Sequence, residues 1–140
     1  MNMSYLDHEG IPRLALDFID RDHEEAARLV NEIKSTINLI RQSQTNHDAL
    51  SPLLETLLNH KQEHFKREEE AMSQANFPAY QLHRQEHCRV INELTSLIDH
   101  WKTYADLNAL NSYMTEIFPT WLKSHTSTMD KASVHYLKGG

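Results

Sequence analysis

The chain has 140 residues, enough for one adequate hydrophobic core and little more. A formal charge of −6 without any block of Lys or Arg excludes a nucleic-acid-binding surface, and no apolar run approaches the ~20 residues that span a bilayer. The single Cys88 excludes an intramolecular disulfide, and the stretch Met1–His8 lacks the apolar segment of a signal peptide, so a cytoplasmic location is expected.

The first periodic segment places Leu16, Ile19, His23, Ala26, Val30, Ile33, Ile37 and Ile40 at steps of three and four, a single stripe along a helix. It gives out in the polar run 42–46. A second helix is expected from Ser51-Pro52, an N-cap residue followed by Pro at the first helical position. Its stripe reads Leu54, Leu57, Leu58, His64, Glu68, Ala71 or Met72, and Ala75, and Asn76-Phe77-Pro78 stops it. The third helix carries Tyr80, His83, His87, Val90, Leu94, Leu97 and Trp101. The fourth carries Leu107, Leu110, Met114, Ile117, Trp121, Leu122 and His125, with a kink expected at Pro119.

Four amphipathic helices with short connections and no strand-like alternation predict an all-α, antiparallel up-down-up-down four-helix bundle. The chain reads as one domain: an arm over about 1–13, the bundle over about 14–130 and a tail over about 131–140.

Histidine is the outlier of the composition, with ten residues. Polar side chains stand at stripe positions in every helix: His23; His64 and Glu68; His83 and His87; His125, with Asp130 beyond it. Residues four apart share a helical face with Cβ atoms ~6 Å apart, close enough to chelate one metal. Asp130 lies five residues after His125, which in a regular helix turns it away, so either the helix ends between them or a local bulge re-aims the chain. Seven ligands are too many for one metal, but two metals sharing two bridging carboxylates use that number. Imidazole with carboxylate and no thiolate suits iron, although manganese and zinc accept the same donors. Of the run Glu68-Glu69-Glu70, Glu68 alone is expected to face inward, and His60 is assigned to the surroundings of the site or to the surface.

These residues resemble the hemerythrin family. The likeness rests on Ile19-Asp20-Arg21-Asp22-His23, His64-Phe65-Lys66-Arg67-Glu68-Glu69, His83-Arg84-Gln85-Glu86-His87, and Trp121-Leu122-Lys123-Ser124-His125 with Asp130, and is closest in style to the bacterial single-domain members. It implies two iron ions, cycling between Fe2+ and Fe3+, with a bridging oxo or hydroxo group. His83, His87 and His125 would hold one iron and His23 and His64 the other, with Glu68 and Asp130 bridging. It also implies that the function is dioxygen binding rather than catalysis, with nitric oxide or peroxide as further ligands. An apolar pocket of Phe65, Trp121, Leu122, Ile19 and Met72 is expected around the open coordination position. Neither nucleic acid nor a membrane is expected as a partner, and the oligomeric state is left open. An oxygen sensor and a di-iron peroxidase stand as alternatives, the latter with His60 as proton donor. In place of a Trp common in the family ahead of the first ligand, this chain has Tyr5-Leu6-Asp7-His8.

Overall fold

The computed structural model describes residues 17–139, so the expected N-terminal arm and Leu16 lie outside the described residues. Three long helices come first: α1 (Asp17–Arg41), α2 (Leu50–Gln74) and α3 (Tyr80–Tyr104). The fourth rod is composite. It consists of α4 (Leu107–Ser112), a π turn Tyr113–Ile117, α5 (Phe118–His125), a second π turn Thr126–Asp130 and α6 (Lys131–Leu137), which follow one another without a gap. No strand occurs among the described residues. Helices adjacent in sequence pack side by side, and the fourth rod closes back on α1, giving the four-helix bundle.

The buried stripe of α1 runs Ile19, His23, Ala26, Val30, Ile33, Ile37 and Ile40, as its spacing predicts, with Ala27 and Leu29 widening it. The start of α2 differs from expectation. A 3-10 turn, His47–Ala49, precedes it and is capped by Asn46, whose side chain accepts from the Asp48 N–H. The helix proper starts at Leu50, so Ser51 is not its cap, and Pro52 sits in the first turn, where a missing N–H leaves no bond unmade. At the other end Asn76 adopts φ 56°, Phe77 N–H reaches Met72 O at 2.9 Å and Asn76 N–H reaches Ser73 O at 3.1 Å. That pair of bonds is a Schellman cap, and it explains why the chain turns at Asn76-Phe77-Pro78.

Two stripe assignments move by one residue. In α3 the wholly buried position is Ile98, with Leu97 only partly covered. In the fourth rod Phe118 is fully buried whereas Ile117 is 51% exposed. The cause of the second shift is the π turn, which closes with Phe118 N–H on Tyr113 O and delays the inward face by one residue. The break expected at Pro119 therefore takes the form of this turn, with Pro119 at the start of α5. Residues Lys131–Leu137, assigned above to a tail, form helix instead. Ser133 and Val134 are buried there, and the rings of Tyr136 and Phe77 lie 5.3 Å apart.

The main apolar core runs from Ala26–Ile40 of α1 through Leu50–Leu57 and Leu94–Trp101 to Leu110–Leu122. Ile19, Met72 and Val134 are equally buried but stand apart from that core.

Candidate metal centre

Each helix supplies the site at the register where its stripe turns polar. His23 (α1), His64 and Glu68 (α2), His83 and His87 (α3), His125 (α5) and Asp130 (second π turn) are all buried, none more than 4% exposed. The second π turn decides the position of Asp130. Five residues of regular α-helix would rotate it roughly 140° from His125. In the π turn Lys131 N–H bonds to Thr126 O instead, and Asp130 comes back to the face of His125, with Oδ1 3.0 Å from His125 Nε2.

The donor atoms fall into two groups whose members lie within 4.8 Å of one another: Glu68, His83, His87, His125 and Asp130; and His23, His64 and Asp130. Asp130 belongs to both, its Oδ1 being 3.0 Å from His83 Nε2 and its Oδ2 3.0 Å from His23 Nε2. Glu68 divides its oxygens in the same way, with Oε1 2.9 Å from His83 Nε2 and Oε2 3.1 Å from His64 Nε2. Neither Glu68 oxygen makes a hydrogen bond despite complete burial. The Nε2 atoms of His83 and His125 face each other at 3.0 Å, and those of His87 and His125 at 3.3 Å. Converging imidazole lone pairs beside an unbonded buried carboxylate are unfavourable alone and are what a cation would stabilise.

The outer nitrogens reinforce this. His64 Nδ1–H donates to Asp22 Oδ2 at 2.8 Å and His87 Nδ1–H donates to Glu69 Oε2 at 2.8 Å. Each carboxylate fixes the tautomer that leaves Nε2 free to ligate. Asp22 is held in turn by Arg67 at 2.6 Å. Burial would raise the Asp22 carboxyl, but the hydrogen bonds from His64 and Arg67 hold it well below the usual range. Against burial, which favours the neutral ring, the neighbouring Asp130 and Glu68 carboxylates raise His83 to about 9. Burial, with His83 and His125 adding to it, drives His87 far down. Asp130, which burial alone would raise, is held well below its ordinary value by His125, His23 and His83.

A family model described as the hemerythrin HHE cation-binding domain matches residues 14–133. The chain belongs to the hemerythrin family. A bacteriohemerythrin of Aquifex aeolicus (strain VF5) is 30% identical over 120 residues, covering 86% of this chain and 88% of that protein. No solved structure gives a significant match. No helix among the described residues is long and apolar enough to cross a membrane.

The expected pocket residues of this hemerythrin divide. Phe65 stacks on His87 with ring centroids 3.8 Å apart, and Trp121 stacks on His125 at 4.5 Å while its Nε1–H donates to Glu86. Both therefore pack against the three-histidine group. Leu122 and Phe65 belong to the main core, and Ile19 and Met72 are buried outside it. His60 does not join the cluster. It is half-buried, 6.4 Å from the His64 ring, and its Nε2–H donates to the Asp22 carbonyl at 2.9 Å. Three residues near the site were missed in sequence. Glu69 is not a solvated neighbour of Glu68, because it bonds His87. Asp22 was visible only as the residue beside His23. Lys61, buried at 1% exposure, occupies the stripe position between Leu57 and His64 that the periodicity required and that a charged residue disguised.

Proposed function

We propose that this chain holds two iron ions and binds dioxygen reversibly. The observation that carries the reading is the split of Glu68 and Asp130, each with one oxygen beside the three-histidine group and the other beside His23 or His64. Two carboxylates so placed could each be shared by both ions. His83, His87 and His125 would hold one ion and His23 and His64 the other, which would have fewer protein donors and room for an exogenous ligand. When bound, the iron pair supplies the electrons and the Lewis acidity that dioxygen binding needs.

The chain's own contribution is to hold the donors and exclude water. Asp22 and Glu69 fix imidazole tautomers, and the fully buried Ile19, Met72 and Leu122 keep the interior apolar. The proton donor considered for peroxide chemistry, His60, already gives its Nε2–H to a backbone carbonyl. That favours a binding role over peroxidase chemistry.

The test is a metal count on the purified protein with visible spectra through cycles of air and anaerobic reduction. Two irons per chain, with an absorption band that appears in air and bleaches when oxygen is removed, are expected. A single metal per chain would refute the bridging assignment, and two irons that oxidise without such a band would refute reversible binding.

A further inference from the structure

Two of the three imidazoles grouped around Glu68 and Asp130 carry an aromatic plate. The Phe65 ring lies 3.8 Å from that of His87 at an interplanar angle of 4°, and Trp121 lies 4.5 Å from His125 at 17°. The plates meet each other edge to face at 6.1 Å. They differ in what stands behind them. Phe65 is a hydrocarbon ring in the core, whereas the half-buried Trp121 donates its Nε1–H to Glu86 Oε1 at 2.8 Å. Glu86 precedes His87 in α3, so this bond ties the segment of one candidate ligand to that of another. Arg89 grips the same carboxylate at 2.6 Å and continues to Glu93 at 2.9 Å. Ion pairs as exposed as these add little to stability. Their effect on the indole is larger: an anion held in place to accept the N–H makes the ring more electron-rich, and an electron-rich face attracts positive charge.

We propose that Trp121, backed by Glu86, biases the metal pair toward its ferric state by stabilising the positive charge that the His125 ring takes on when it ligates. The inference rests on the two-metal reading above. A ferric ion draws more charge from an imidazole than a ferrous one, so a stacked indole favours the oxidised form. Trp121 is thus a positioning residue, which acts on the centre only through His125.

The test compares wild type with Trp121→Phe, Glu86→Gln and the double variant. Metals are counted in each, the reduction potential is read by anaerobic titration with dithionite and mediator dyes, and zinc affinity is read against a chelator. In Trp121→Phe the ferric-to-ferrous ratio at a fixed potential is expected to fall at least threefold, about 28 mV for one electron at ~59 mV per tenfold, with the zinc Kd changing less than threefold. Glu86→Gln is expected to shift the potential in the same direction alone, and by less in the Trp121→Phe background. An unchanged potential in Trp121→Phe at two irons per chain would overturn this proposal alone, as would a zinc loss as large as the redox shift, which marks a packing role. Equal Glu86→Gln shifts in both backgrounds would overturn the part given to Glu86, showing its charge to act across space. A wild-type protein without two irons would overturn the two-metal reading and this proposal with it. Should Trp121→Phe not fold, 5-fluorotryptophan incorporated into a Trp101→Phe chain labels Trp121 alone, since the chain has two Trp. The fluorine keeps the N–H and nearly the same shape but withdraws ring charge, and is expected to raise the potential; no shift there would overturn the proposal.

Discussion

The two ends of this bundle solve opposite problems. The end lined by Ile33, Ile37, Leu50, Leu54, Leu94 and Leu110 buries mainly apolar side chains, with Lys34 an exception, and each fully buried apolar one contributes roughly 2 kcal/mol from area alone. The other end buries five imidazoles, the carboxylates of Asp20, Glu68 and Asp130, and Lys61 among helices of the same kind. Moving the Lys61 amine from 10.5 to about 8 corresponds by itself to a cost on the order of 3 kcal/mol. The difference teaches that one end supports the fold and the other draws on that support, so the site end should gain most of its stability from what it binds.

Metal removal should break the symmetry most. Stripping the ions leaves the Glu68 oxygens and the facing Nε2 atoms of His83 and His125 without compensation. Melting should fall steeply, by several kcal/mol of linked binding energy, and amide exchange should quicken around Glu68 and His83 well before it does around Leu54. Uniform exchange along α2 in the metal-free protein would contradict the comparison. Next in size, Leu94→Ala at the apolar end should cost about 2–5 kcal/mol in denaturant melts while leaving metal stoichiometry intact. A loss of metal in that variant would show the two ends to be coupled. The smallest effect sharpens the boundary between them. Asp22→Asn keeps the shape beside His64 but weakens the bond that orients it, and should lower metal affinity about 10–100-fold, with a smaller loss of metal-free stability from the weakened Arg67 and His64 bonds. Competition with a chelator reads the first quantity and a thermal melt the second.

Much of this was legible from spacing. The α1 stripe from Ile19 to Ile40 is buried as written, because a helix of regular pitch has no freedom to present other residues. Six of the polar residues, His23, His64, Glu68, His83, His87 and His125, converge for the same reason: an apolar face interrupted at one level in every helix must place its interruptions together once those faces pack. The misses arise where pitch or context changes. Ile117 gives way to Phe118 because a π turn alters the count of residues per turn, and Leu97 gives way to Ile98 because steps of three and four leave adjacent choices open. Glu69 looked solvated since its partner, His87, is on another helix.

The all-α class, the bundle and the buried histidines with Glu68 were thus determined by local periodicity and side-chain chemistry, both written along the chain. Only tertiary structure decided how Asp130 rejoins His125, which carboxylate oxygen faces which histidines, and where the Lys61 charge comes to rest. Those are distances between separate helices, set by a π turn and by packing that no single segment encodes.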